Sequence, residues 1–289
     1  MDNERMNIQW YPGHMTKTRR QIEADLKQVD AVCEIVDARI PISSRNPDID
    51  SICGNKPRII VLNRMDLADP NATNRWISYF KAKGMAAVAT DCKSRKGIGN
   101  FQPAVRSVLK EKLERDAAKG MNRPMRVMIV GIPNVGKSTL INQISGRKGA
   151  KAENRPGVTR GKQWVTVDSS LLLLDTPGIL WPKFEDPKVG MMLAYTGAVK
   201  ENVIDSEELA YHLMELLWKF YPDTVRERYK VDMPENTPGY ILLEEAGRKR
   251  GFLLARGEIN TERMAKVLLD EYRSGKLGHF TLEAPEELE

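Results

Sequence analysis

Gly131-Ile132-Pro133-Asn134-Val135-Gly136-Lys137-Ser138-Thr139 decides how the rest of the chain is read. The apolar run Val127-Met128-Ile129-Val130 before it has the look of a buried strand, and Thr139-Leu140-Ile141-Asn142-Gln143-Ile144 opens a helix after it. Strand, Gly-rich loop and helix in that order are what G-x-x-x-x-G-K-[ST] requires to cradle phosphate. Glycine lets the backbone curl until its N–H groups converge on an anion, and the helix N-terminus adds partial positive charge at the same point. The loop residues Asn134, Val135, Gly136 and Thr139 are therefore expected to line the phosphates of a nucleotide. Lys137 would meet the β- and γ-phosphates, and the Ser138 hydroxyl would ligate Mg²⁺.

Composition sets mild limits. The 289 residues suffice for two domains or one large one, and 41% hydrophobic with 29% charged residues is ordinary for a water-soluble globular chain. Lys and Arg number 45 against 39 Asp and Glu, a formal charge of +6 that permits a polyanionic partner without demanding one. The three cysteines, Cys33, Cys53 and Cys92, form no C-x-x-C pair and read as reduced thiols of a cytoplasmic protein. The polar start Met1-Asp2-Asn3-Glu4-Arg5 lacks a signal-peptide core, and the longest aliphatic-only run, Leu171 to Leu174, is far too short to span a bilayer. No membrane and no DNA partner is expected.

Going outward from the loop, Thr16 to Val29 reads as a basic helix. Strands are expected at Asp30 to Asp37, Arg58 to Leu62, Met85 to Thr90, Trp164 to Val167 and Leu171 to Leu174. Helices are expected at Trp76 to Lys83 and Ala104 to Lys119, and residues 38–47 read as a polar loop. This alternation predicts an α/β fold with a mostly parallel sheet, binding ligand at the carboxyl ends of its strands. Beyond Val189 apolar residues recur at helical spacing, so residues 1–188 are assigned to the α/β domain and 189–289 to an all-α domain. The acidic tail from Leu282 to Glu289 reads as frayed.

Asp175 ends an apolar strand 38 residues after Lys137, where a carboxylate can hold the Mg²⁺ shell. Gly178 of Asp175-Thr176-Pro177-Gly178 can bring a backbone N–H to the γ-phosphate. Thr159, in the loop between helix and strand, is the expected second hydroxyl ligand of Mg²⁺. Asn63-Arg64-Met65-Asp66 stands at the tip of the second apolar strand. Asp66 can accept from guanine N1–H and the exocyclic amine, donors that adenine does not present. Asn63 can hold the base-binding loops together, and Asp91-Cys92-Lys93 at the third strand's tip is the candidate accessory base loop. This base-reading segment precedes the phosphate loop, the reverse of ordinary small GTPases. A circularly permuted P-loop GTPase domain explains the order, because a compact domain's termini can be rejoined without changing its core.

The permuted order, Gly-Ile-Pro-Asn-Val-Gly-Lys-Ser, Asp-Thr-Pro-Gly, Trp10-Tyr11-Pro12-Gly13-His14-Met15 and Asp37-Ala38-Arg39-Ile40-Pro41-x-Ser43-Ser44-Arg45-Asn46-Pro47 together resemble the ribosome biogenesis GTPase A (YlqF-type) family. That resemblance implies a K⁺-stimulated GTPase acting late in assembly of the large ribosomal subunit, and a C-terminal domain similar to the ANTAR RNA-binding fold. Arg64 departs from the family's usual Asn-Lys-x-Asp, and the accessory loop is not an evident Ser-Ala-Lys.

Ras-type enzymes orient the attacking water with a glutamine directly after D-x-x-G, where this chain has Ile179. Slow intrinsic turnover is therefore expected. His14, in a Pro-Gly turn, is the candidate to orient water in its place, a role the resemblance also gives it. Asn134 is the candidate ligand of a K⁺ that would offset charge developing between the phosphates. Lys17, Arg19 and Arg20, and Arg248, Lys249 and Arg250, are candidate contacts to ribosomal RNA of a large-subunit precursor. Two other readings stay open: an RNA-binding scaffold for which GTP is a conformational ligand with little turnover, and an ATPase, which would need Asp66 to point away from the base.

Overall fold

The structure, a computed structural model, describes residues 15–146, 163–176, 186–199 and 205–288. Strand β1, Ala31–Asp37, is buried at every position, as a strand must be when helices cover both faces of a parallel sheet. The other strands are β2 (Arg58–Asn63), β3 (Ala86–Thr90), β4 (Met125–Val130), β5 (Gln163–Asp168) and β6 (Leu171–Asp175). They form one six-stranded sheet ordered β3-β2-β1-β4-β6-β5. Every neighbouring pair is parallel except β5 with β6, so β5 is an antiparallel edge. The chain steps from β1 outward through β2 to β3, then returns to place β4 on the other side of β1. That reversal between β1 and β4 is where an open α/β sheet leaves a crevice for ligand.

Helix α1 (Met15–Leu26) sets Ile22 and Leu26 against Val32, Met128 and the short helix α2 (Ile49–Cys53). Helix α3 (Pro70–Ala82) starts six residues before the Trp76 predicted from spacing. Its start is fixed by chemistry that spacing does not carry: Asp69 accepts from the N–H of Asn71 at 2.7 Å, and Pro70 occupies the first turn. Trp76 and Phe80 then fill the core beside β2, rings 5.7 Å apart. The single helix predicted from Ala104 to Lys119 is two, α4 (Phe101–Val108) and α5 (Lys110–Ala118). They break at Leu109, which is buried and leaves helical geometry at φ −103°, ψ 11°. Helix α6 (Lys137–Ser145) follows the phosphate loop.

The remaining helices, α7 (Pro187–Tyr195), α8 (Ser206–Phe220), α9 (Pro222–Tyr229), α10 (Gly239–Lys249) and α11 (Thr261–Ser274), make a separate unit. Helices α8, α10 and α11 pack mutually. Gly239 lets α10 approach α8, since a Cβ there would lie 2.0 Å from the Tyr211 carbonyl oxygen. Among the described residues no helix is long and apolar enough to cross a membrane, and all three cysteines are buried and unbridged.

The described residues divide into 15–176 with 283–288, and 186–282. Two expectations are corrected here. The tail is not frayed at its root: the Glu283 carboxylate accepts from the backbone N–H of Ile42 at 2.7 Å and of Ser43 at 3.0 Å. The Trp76 indole N–H also donates to the Glu283 carbonyl at 3.1 Å. The stretch 38–47 is not a solvated loop either. Arg39 has no exposed surface, and Ala38, Ile40, Pro41, Ser43 and Ser44 are buried with it. Its polar composition misleads because its buried side chains find partners inside the fold, with Ser44 Oγ accepting from Asp37 N–H at 2.9 Å and donating to the Ile40 carbonyl at 2.7 Å. Replacing Glu283 by Ala strands two backbone donors, so we expect a loss of about 1–3 kcal/mol in stability. Urea unfolding checks this, and an unchanged midpoint would contradict it.

Candidate functional site

The register of the sheet brings the strand tips together. Asp37 of β1 lies opposite Asn63 of β2, Asn63 opposite Thr90 of β3, and Ile129 of β4 opposite Asp175 of β6. Into this row falls the phosphate loop after β4. Its turn needs glycine twice. Gly131 has φ +156°, and a Cβ there would meet the Ile35 carbonyl oxygen at 2.7 Å. Gly136 has φ +107°, and a Cβ would lie 2.3 Å from the Asn63 amide nitrogen.

That close approach marks the central contact. Asn63 Nδ2 donates to the Val135 carbonyl at 2.7 Å. Its Oδ1 accepts from Thr90 Oγ1 and from the Cys92 N–H, each at 3.2 Å. One buried carboxamide thus joins the phosphate loop, the second strand and the loop after the third. Arg64, left-handed at φ +62°, donates to the Asn134 carbonyl at 2.7 Å. Its other arm lies 3.6 Å from the Asp37 carboxylate. Asp66, two residues on, is exposed at the same edge. Cys92 enters through its backbone; its thiol is buried, which pushes the pKa up to about 11.

At the phosphate end Lys137 is buried, and its ammonium donates to the carbonyls of Gly131 and Ile132 at 3.0 and 2.9 Å. Lost hydration pushes its pKa down to about 8, against the opposing pull of Asp175. Burial likewise raises the Asp175 carboxyl, opposed by Lys137. Both groups are driven towards neutrality. Asp175 Oδ1 is buried and has no hydrogen-bond partner among the described residues. An orphaned carboxylate oxygen beside a phosphate loop fits a Mg²⁺ shell. Ser138 stands half-buried in the first turn of α6, with Thr139 next to it. Asn134 is left-handed at φ +61°. Its carbonyl is taken by Arg64, so the side-chain amide is what it can offer a monovalent cation.

The structure therefore places Asn63, Arg64, Asp66, Cys92, Asn134, Val135, Gly136, Lys137, Ser138, Thr139 and Asp175 at or just beyond the carboxyl ends of β2, β3, β4 and β6. His14, Thr159 and Gly178 lie outside the described residues. Sequence reasoning missed Asp37 and Arg39. Arg39 grips the Asp37 carboxylate with Nε at 2.9 Å and Nη2 at 2.8 Å. Burial alone would raise the Asp37 carboxyl, but Arg39 and Arg64 hold it below the usual range. An Asp-x-Arg pair closing an apolar strand was the available signal. In the helical unit, the expected RNA-binding arginines have intramolecular partners. Arg250 is half-buried against Glu271 and the Tyr229 ring, while Arg248 and Lys249 are exposed beside Glu244 and Glu245. Arg20 on α1 is exposed, and the side chains of Lys17 and Arg19 lie outside the description.

A mainly parallel sheet with a phosphate loop on a central strand, and with Asn63-x-x-Asp66 earlier in the chain than that loop, defines a circularly permuted P-loop GTPase domain. Residues 126–230 match the family described as 50S ribosome-binding GTPase. Ribosome biogenesis GTPase A of Priestia megaterium is 47% identical over 287 residues, covering 98% of this chain and 99% of its own. The chain belongs to the ribosome biogenesis GTPase A family, GTP-binding hydrolases of ribosome biogenesis. Two solved structures are similar at 27% identity. GNP-bound YlqF from T. maritima has a TM-score of 0.60, over 93% of this chain and 99% of that one. The GDP-bound structure of TM YlqF has a TM-score of 0.62, over 92% and 100%.

An anionic phosphate beside Lys137 restores the reason for its charge and raises its pKa. GDP binding at pH about 8.5 should then take up a proton, and binding below pH 7, where the lysine is already protonated, should take up almost none. Calorimetry in buffers of different ionisation enthalpy reads this, and equal uptake at both pH values would refute it.

Proposed function

We propose that this protein is a GTP-hydrolysing switch that acts in the cytoplasm, late in maturation of the large ribosomal subunit, and binds the precursor's ribosomal RNA in its GTP state. The observation that supports this most is the Asn63 carboxamide on the Val135 carbonyl. It ties the segment bearing Asp66 to the loop bearing Lys137, as one purine triphosphate contacting both would require.

In this reading Asp66 accepts from the guanine ring and selects it over adenine. The N–H groups of the loop from Asn134 to Thr139 and the Lys137 ammonium hold the phosphates. Mg²⁺, held by Ser138, Thr159 and Asp175, neutralises phosphate charge when bound. Gly178 offers its N–H to the γ-phosphate. His14 orients the attacking water, since Ile179 has no group that can do so. The Asn134 amide ligates K⁺ near the phosphates. Basic side chains of α1, with Arg248 and Lys249 of the helical domain, meet RNA phosphates; Arg250 is left to the helical core. The Ile179 position also keeps a second reading open, a scaffold whose RNA-binding surface GTP shapes with little turnover.

Replacing His14 by Ala should cut GTP hydrolysis about 10²- to 10⁴-fold while leaving GDP affinity in place. Equal turnover by the variant would remove that role. Wild-type turnover should be slow, faster in K⁺ than in Na⁺, and GTP should outcompete ATP. Co-sedimentation with large-subunit precursors should be strongest with a GTP analogue and fall steeply with salt. Marked stimulation of hydrolysis by the precursor separates the switch from the scaffold, which predicts none.

A further inference from the structure

The helical unit carries a surface that the nucleotide site does not use. Tyr240, Glu244 and Arg248 recur every fourth residue of α10, so they share one face of that helix. Beside this row opens a cavity of about 540 Å³, lined by Glu244, Arg248, Leu253, Glu258, Ile259 and Thr261. A short hairpin between α10 and α11 supplies its apolar lining. Leu253 pairs there with Ile259, and the Leu254 N–H donates to the Glu258 carbonyl at 2.8 Å. Helix α8 joins the same face. Its Glu207 carboxylate accepts from the Thr261 hydroxyl, and its Tyr211 ring meets the Tyr240 ring edge-on at 6.5 Å.

Six large apolar side chains are exposed among the described residues, and three of them belong to α10 and its hairpin: Tyr240 at 55%, Leu253 at 57% and Leu254 at 47%. Scattered exposed leucines need no explanation, but a group beside one groove marks a surface for another molecule. Charge selects the occupant. Residues 186–282 carry 14 Lys and Arg against 16 Asp and Glu, a net −2 in a chain of +6. Within the groove Glu244 and Glu258 outnumber Arg248, whose guanidinium already donates to Glu244 at 2.9 Å. Burial, and after it the charge of Glu207, raises the Tyr211 phenol above its usual range. Such a lining repels RNA phosphates. Lysine and arginine find carboxylates in it and, at Tyr240, an aromatic ring.

We propose that this groove docks a protein segment rich in lysine and arginine that also carries aliphatic side chains. An aliphatic group packs on Leu253 and Ile259, while cations meet Glu244, Glu258 and the Tyr240 ring. This goes beyond the RNA contacts given above. Only the source of the segment, a protein of the large-subunit precursor, rests on that reading.

The test has two arms, both on the full chain. In the first, fluorescence anisotropy measures binding of a labelled peptide of alternating lysine and leucine. Wild type is compared with Leu253→Ser, Glu258→Lys and Tyr240→Ala, and with Glu114→Lys, an equal charge change on α5 of the other unit. Thermal unfolding and GTP hydrolysis establish that each variant is folded. We expect Leu253→Ser and Glu258→Lys each to weaken the peptide about tenfold, the scale of one aliphatic contact or more. Tyr240→Ala should weaken it less, and Glu114→Lys should leave it unchanged. If Leu253→Ser does not fold, Glu258→Lys in the exposed turn carries this arm. In the second, a photo-crosslinking amino acid at position 253 is irradiated with large-subunit precursor. The adduct should be lost to protease and survive ribonuclease. Peptide affinities unaltered by Leu253→Ser and Glu258→Lys, an equal loss in Glu114→Lys, or an adduct to ribosomal RNA or to nothing from a co-sedimenting chain, overturns the proposal. Failure of wild type to co-sediment with the precursor overturns the ribosomal reading instead, and the peptide arm alone then decides the groove.

Discussion

The structure depends on what the two ends of one carboxamide do. The NH₂ of Asn63 is spent on the phosphate loop and its oxygen on the strand and loop beyond. Buried as it is, the group gains little from any substitute that supplies only donors or only acceptors. Gly136 completes the arrangement by having no Cβ, which would occupy the amide's place. The two ends of a nucleotide would be held by segments about 70 residues apart in sequence, linked by the hydrogen bonds of Asn63 to Val135 and of Arg64 to Asn134. This is why the order of segments along the chain can be permuted without disturbing the crevice: the contacts are spatial, and the sheet neighbours supply them whichever segment is made first.

The buried charges of the crevice divide by how their local environment treats them. Asp37 is held ionised by Arg39 and Arg64, and it behaves as an internal fixture. Lys137 and Asp175 are pushed the other way, each towards its neutral form, because lost hydration outweighs their attraction for one another. Charged groups left under-compensated inside a fold mark a place where a charged ligand completes the balance. The contrast arises within one row of strand tips and the loop that follows them.

Much of this could be read in the chain beforehand. The strands announced themselves as short aliphatic runs, and the phosphate loop, Asn63 and Asp66 could be placed at strand tips because those runs end there. What stayed hidden depends on pairing in three dimensions. Residues 38–47 look like solvent-facing loop until Ser44, Arg39 and Asp37 are seen to satisfy each other. Helix α3 began early because a cap, not an apolar repeat, sets its start. The break at Leu109 follows from burying that residue between two helices whose charge pattern reads as continuous. Arg250 looks like its basic neighbours in sequence, and only Glu271 and Tyr229, from two other helices, give it a different task.

The grip of Glu283 on Ile42 and Ser43 has a temporal side. The acceptor is synthesised 240 residues after Ser43, with the whole helical unit translated in between. A closure that long-range is slow compared with local helix formation. The α/β unit is therefore begun first and fastened last, and its tightest state exists only once the downstream helices have left the translating machinery.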